Sequence, residues 1–311
     1  MISDEKLFDV AVEYYLKKKT QKEIAEHYNV SHVQIGKYLK EAEKRNIVTI
    51  SVNLPISKTE EENLKHLFRS VFHIKDLVLV QGSDNSDKSH VRVVDKAADY
   101  ILNTFSNNKT RIGYGWGKTM YDISLQKNRD ALKTNWEYFP VCILGKKDSN
   151  PYYDSVQMLW NLAKNWGGSV DQGFVDKVLL AQEMDNVEIL NDKEDVWKSL
   201  DALVCGMGSA TSRYPRPKRE MFSDTVYNEI NQKDLVGDIL HNFYDIDGNM
   251  FSVSETDILI PRTIISKIPW VVAVASGFPK VESIIGGLRT GLIDTLVTDV
   301  QTAHHVIDYL K

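Results

Sequence analysis

The sequence predicts an α/β chain: a small helical unit with a helix-turn-helix, followed by a larger domain built on a mostly parallel sheet. Three observations predict it. The first fifty residues repeat apolar side chains at spacings of three and four, the signature of amphipathic helices. Beyond residue 76, short β-branched runs alternate with helical stretches, as βαβ units do. The length of 311 residues exceeds one average domain.

Composition narrows the class. Hydrophobic residues make up 42% and charged residues 26%, which excludes wholesale disorder, a collagen-like chain and a disulfide scaffold. No apolar run approaches the roughly 18 residues that span a bilayer, so no membrane partner is expected. Met1-Ile2-Ser3-Asp4-Glu5-Lys6 reads as neither a secretory signal nor a basic transit peptide, and a cytoplasmic location is expected. Cys142 and Cys205 both sit in apolar stretches and read as buried free thiols. The net charge is −5, but residues 1–53 carry nine Lys/Arg against eight Asp/Glu. Such a chain binds nucleic acid only through a small focused surface used in several copies.

Taken in order, Leu7, Val10, Ala11, Tyr14 and Tyr15 mark the first helix. Lys17-Lys18-Lys19 closes it, either as a solvated end favoured by the helix dipole or as a phosphate contact. Thr20 with Glu23 spells a capping box for a short helix whose inward face is Ile24, Ala25 and Tyr28. Asn29-Val30 makes the turn. Ser31 caps a further helix with Ile35, Tyr38 or Leu39, and Ala42 inward, and Asn46 ends it. Ile47 to Val52 alternates as a strand, a wing or a brace. Two helices around a tight turn form the DNA-reading helix-turn-helix unit. Its outward positions are His32, Gln34, Lys37 and Lys40, with Tyr38 partly inward. Gln pairs bidentately with adenine, and Lys reaches guanine or a phosphate. The first turn near Thr20 and Gln21 can cap a phosphate.

Residues 10–52 resemble the N-terminal domain of SorC-family bacterial transcription regulators, carried by Tyr15, Thr20-Gln21-Lys22-Glu23-Ile24-Ala25, Ser31, Ile35, Lys37 to Ala42, and Ile47-Val48. That family usually has Arg where this chain has Lys37, which keeps the charge and loses the planar fork.

Leu54-Pro55-Ile56-Ser57 marks a boundary, giving domains at 1–53 and 54–311, and a charged helix over 58–72 follows. Strands are expected at 77–80, 111–114, 141–144, 202–205, 271–275 and 295–297. Helices are expected near 88–106, 117–127, 152–165, 279–289 and 299–310. Three loops leave strands with anion-binding chemistry. Gly113-Tyr114-Gly115-Trp116-Gly117-Lys118-Thr119 offers glycine backbone N–H groups, a cation and a hydroxyl, yet has neither Walker A nor dinucleotide spacing. Gly206-Met207-Gly208-Ser209 and Ser276-Gly277-Phe278-Pro279-Lys280 have the same form. Ligands of open α/β sheets bind beyond the carboxyl ends of the strands, so the three loops can surround one ligand. Asp238 and Asp245 are candidates for sugar hydroxyls, or plain turn residues.

This region also resembles the SorC effector domain, through Gly113 to Thr119, Gly206 to Ser209, Gly237-Asp238-Ile239 with Phe243, Asp245 and Gly248, Ala275-Ser276-Gly277 with Lys280, and Leu288 to Ala303. The resemblance implies a doubly wound Rossmann-like fold similar to ribose-phosphate isomerases and glucosamine-phosphate deaminases. It implies a sugar-phosphate-responsive, oligomeric regulator, often a tetramer, that binds operator DNA. Gly115 to Thr119 and Lys280 then hold the phosphate. Gly145-Lys146-Lys147 departs from the family's Gly-Gly pair and puts the sugar-end contacts in doubt. Two other readings are an isomerase-like enzyme with an N-terminal interaction domain and a protein-binding module. For the enzyme, Asp238, Asp245 and Asp299 are the candidate bases, with no acid–base pair at diagnostic spacing. No His or Cys spacing suggests a metal, His304-His305 reads as surface, and no cofactor is expected.

Overall fold

The computed structural model describes residues 2–45, 47–48, 56–83, 85–105, 109–127, 134–143, 152, 154–184, 187–210, 227–228, 230, 232–252 and 258–311. The chain divides into two compact units, Met1–Leu54 and Pro55–Lys311.

In the first unit, α1 (Asp4–Ala11) runs directly into a π-helical turn, Val12–Leu16. Helix α2 (Gln21–Tyr28) begins at the capping box read from the sequence: Thr20 Oγ1 accepts from Glu23 N–H, and the Glu23 carboxylate accepts from Thr20 N–H. Asn29 ends it in the left-handed region. Helix α3 (His32–Lys44) is capped by Ser31. Val10, Ile24, Ala25, Ile35 and Leu39 form the core, with Tyr38 packed partly buried against it. Leu7, Ala11 and Ala42 make a second small cluster. The expected strand at 47–52 is not formed at Ile47-Val48, which lie in a bend, and its remainder lies outside the described residues, as do Asn46 and the segment 49–55.

The second unit opens with α4 (Lys58–Phe72), which buries Leu64, Phe68 and Phe72 at helical spacing. Among the described residues a seven-stranded sheet carries it. The strands are β1 (Asp76–Val80), β2 (Arg111–Tyr114), β3 (Thr134–Pro140), β5 (Gly167–Val170), β6 (Ala202–Gly206), β12 (Trp270–Val274) and β13 (Thr295–Asp299). Their order is β1-β13-β12-β6-β2-β3-β5, and every pairing is parallel. The side-chain period of two splits each strand between the faces. Leu77, Leu79, Leu203, Cys205, Val271, Ala273 and Leu296 join one core. Val78, Val80, Val204, Val272, Val274 and Val297 join the other. Strands buried on both faces read as continuous apolar runs, which is why most were legible. Helices α5 (Ser86–Phe105), α6 (Lys118–Ser124) and α7 (Ser155–Trp166) cover the second core. Helices α4, α11 (Val281–Arg289) and α12 (Val300–Tyr309) cover the first.

The expected strand at 141–144 is corrected. The sheet strand is β3, whose Trp136 and Tyr138 face one core while Phe139 faces the other. Cys142–Ile143 (β4) instead pairs antiparallel with β11 (Ile258–Leu259). A four-stranded antiparallel sheet follows β6, in the order β10-β9-β8-β7, from β7 (Gly208–Ser209), β8 (Leu235–Ile239), β9 (Asn242–Asp245) and β10 (Met250–Ser252). The second unit also contains helices α8 (Gln172–Met184), α9 (Lys193–Lys198) and α10 (Arg262–Ile265).

Candidate functional site

The sheet order places one reversal of chain progression at the centre of the sheet. From β2 the chain proceeds outward through β3 to β5, and from β6 it proceeds the other way through β12 to β13. Adjacent β2 and β6 are therefore the topological switch point, where their carboxyl ends leave a crevice. Both glycine loops emerge there. Gly115 N–H donates to Val204 O at 2.8 Å. A Cβ on Gly115 would stand 3.3 Å from the Cys205 Cα and 2.9 Å from Leu240 Cδ2, so glycine is what lets the loops close. Gly117, at φ 108, enters α6, and Thr119 is half-buried at its second position.

The third loop is tied to the second. Ser209 Oγ donates to Pro279 O at 3.2 Å, and Lys280 Nζ donates to Met207 O at 2.7 Å. Gly277 N–H donates to Thr302 Oγ1 at 2.7 Å, whose own hydroxyl donates to Asp299 Oδ2. Asp238 is buried on β8 directly opposite Gly208. It accepts His241 N–H at 3.1 Å. Burial pushes the Lys280 amine below its ordinary value, and the nearby Asp238 carboxylate partly opposes that. Burial, with Asp238 adding, pushes the Cys205 thiol up to about 12, so it stays protonated at neutral pH. The arrangement pairs an inward-turned ammonium and a buried carboxylate beneath glycine turns, a set that can grip a polyhydroxy anion.

Three of the expected site residues take the following places. Asp245 stands at the far end of β9, opposite Leu235, and its oxygens accept Asp247 N–H, Asn249 N–H and Asn249 Nδ2. It is a turn residue. Lys118 is exposed and lines a groove with Asp87, His90 and Asp122, on the α5 side of α6. Met207 is buried, and its carbonyl is the group the Lys280 amine reaches. Trp116 is held by Cys142 Sγ, which accepts its Nε1–H at 2.6 Å, and meets the His241 ring edge-on at 5.0 Å. Gly145, Lys146 and Lys147 lie outside the described residues.

His241 was missed. Leu240 and His241 both adopt positive φ, 52° and 58°, at the tip of the β8–β9 hairpin. Such turns ordinarily announce themselves by Asn-Gly or Asp-Gly, which is absent here. Both residues are buried. Backbone strain of this kind concentrates at functional sites.

In the first unit, His32, Lys37 and Lys40 are exposed along α3, and Gln34 is half-exposed. Val33 stands 57% exposed among them, an apolar side chain suited to a thymine methyl, and the sequence reading passed over it. Tyr38 packs against both small clusters and braces α3 rather than standing outward. The Thr20 and Ser31 hydroxyls serve as caps. The Glu23 carboxylate already accepts Thr20 N–H at 2.7 Å, so the expected phosphate cap at that N–H is filled from within. That bond and the Thr20 hydroxyl hold Glu23 below the usual carboxylate range.

A family model described as "Putative sugar-binding domain" matches residues 58–308. The chain is 23% identical over 302 residues to the Sorbitol operon regulator of Klebsiella pneumoniae, covering 94% of this chain and 95% of that protein. It is 21% identical over 312 residues to the Transcriptional regulator LsrR of Escherichia coli, covering 99% of this chain and 96% of that one. Its fold is similar to the crystal structure of the full-length sorbitol operon regulator SorC from Klebsiella pneumoniae, with a TM-score of 0.72 at 20% identity over 98% of each chain. It is also similar to a transcriptional regulator from Streptococcus pneumoniae TIGR4, with a TM-score of 0.66 at 22% identity over 81% of this chain and 98% of that one.

Proposed function

The chain belongs to the SorC family of sugar-responsive transcriptional regulators, and on that premise we propose that it represses a sugar-catabolic operon until a phosphorylated sugar occupies the loops at the β2/β6 switch point. The observation that carries this reading is the convergence of three strand-end loops, with Lys280, Met207 and Asp238 gathered beneath Gly208. Thr119 and Lys280 hold the phosphate beside the Gly115–Gly117 turn, whose Gly115 and Gly117 N–H groups are taken by Val204 O and Tyr152 O. Asp238 takes sugar hydroxyls. Asp245 and Asp299 are committed to their own turn and cap, which disfavours either as the base of an isomerase.

The protein acts in the cytoplasm as a homo-oligomer. Specific affinity then comes from recognition helices reading half-sites ~34 Å apart. Effector binding changes DNA affinity only if the effector prefers one of two protein states, and such coupling is worth about 1–3 kcal/mol. The test is operator binding by the full chain with and without phosphorylated sugars. Thr119→Val with Lys280→Ala should remove the sugar response and leave DNA binding. A response that survives in this double variant places the effector elsewhere.

A further inference from the structure

The lysine run between α1 and α2 is left unused by the recognition helix, and its surroundings are specific. The π-helical turn Val12–Leu16 closes with Lys17 N–H donating to Val12 O, and Lys19 N–H donates to Glu13 O, each at 3.0 Å. Between them Lys18 is held at φ 57, the left-handed region a non-glycine residue rarely enters. Short π turns and backbone strain both cluster at functional sites.

The turn is anchored from below. Glu13 is only 7% exposed. Its Oε1 meets Lys19 Nζ at 3.2 Å and Lys17 Nζ at 3.8 Å, and its buried Oε2 has no hydrogen-bond partner among the described residues. Both ammonium groups are tied to the one carboxylate oxygen, Oε1, so the lysine run is held from one side. Above the turn lies an open groove of about 570 Å³ lined by Tyr14, Tyr15, Lys18, Lys19, Thr20 and Gln21, two of them cations. One wall reaches α3: a Cβ on Gly36 would lie 3.4 Å from Gln21 Oε1. Tyr15 hydroxyl donates to the Glu43 carboxylate at 2.9 Å, and burial with that bond pushes it up to about 12, so the phenol itself stays protonated.

We propose that this groove seats a DNA backbone phosphate, with Lys18 making the contact and Glu13 holding the turn that presents it. Phosphate contacts fix register without reading sequence, and a seat beside Gln21 and Gly36 sets how α3 enters the major groove. The inference rests on the reading of this unit as a DNA-binding domain.

The test measures binding of the full chain to a random-sequence duplex by anisotropy as salt is raised. One lost phosphate contact lowers the slope of log affinity against log salt by about 0.9, so between roughly 50 and 200 mM salt the affinity loss shrinks about 3.5-fold. Lys18→Ala should show that change and Lys18→Arg should restore it. Glu13→Gln separates a built seat from a loose patch of charge. Removing an anion raises affinity if the lysines act only through the field; it lowers affinity and slope if Glu13 holds them in place. An unaltered slope in Lys18→Ala, or tighter binding by folded Glu13→Gln, overturns the seat. Should Glu13→Gln fail to fold, the Lys18 pair of variants decides alone. Absence of any duplex binding by the unaltered chain overturns the DNA-binding reading itself, and the seat with it.

Discussion

Replacing Gly208 by Ala strikes the proposed effector site at its tightest point. A Cβ at Gly208 would fall 1.7 Å from Asp238 Oδ1 and 2.7 Å from its Cγ. No side chain tolerates that approach, so either the Asp238 carboxylate turns away from His241 N–H or β7 parts from β8. Loss of a hydrogen bond to a charged group costs about 1.5–3 kcal/mol, and overpacking costs about 1–3 kcal/mol. We expect a destabilisation of about 2 kcal/mol. For a unit of this size each kcal/mol lowers Tm by roughly 2–4 °C, which predicts a fall of roughly 4–8 °C in a thermal melt. The shift on adding a sugar phosphate should vanish, because the carboxylate beneath the loops has moved. Gly173→Ala, where the nearest atom is Asp171 Oδ1 at an ordinary 3.5 Å, is the matched control and should leave both readings unchanged. A Gly208→Ala protein that melts with the parent and keeps its ligand shift refutes the packing of Asp238 against this loop and its part in binding.

Further outcomes follow from the same geometry. Gln34→Ala or Lys37→Ala should each cost roughly 1–3 kcal/mol of operator affinity if it reads a base, seen as relaxed preference at one position in a footprint. Ser31→Ala removes the cap of α3 and should destabilise the first unit by about 1 kcal/mol in a denaturant titration. Because burial lowers the Lys280 amine, the unfolded chain binds more protons than the folded one between that lowered value and about 10.4. Stability should therefore rise with pH across that window, and Lys280→Met should flatten the rise in denaturant melts at successive pH values.

The residues show why some of this was legible and some was not. Strands such as Val271 to Val274 and Leu203 to Cys205 are buried on both faces, so continuous apolar runs announced them. Thr20, Glu23 and Ser31 encode caps whose geometry is local, and the structure forms each of them. Strand β3 was displaced by several residues because its aromatics divide between two cores and imitate neither a helix nor a clean alternation. The β8–β9 hairpin carried no turn signal, since Leu240 and His241 take left-handed conformations that only tertiary packing imposes. The same holds for the loops. Their glycines were visible, but the destinations of the Lys118 and Asp245 side chains depend on the face of α6 and the end of β9, which no spacing reveals.

Calorimetric titration of the full chain with a panel of phosphorylated sugars and their free counterparts tests the central claim most directly. A phosphorylated sugar should bind, stabilising by ~2.7 kcal/mol at 100 times its dissociation constant. Thr119→Val with Lys280→Ala should abolish the heat. Equal binding of the free sugars, or undiminished binding by that double variant, contradicts the claim.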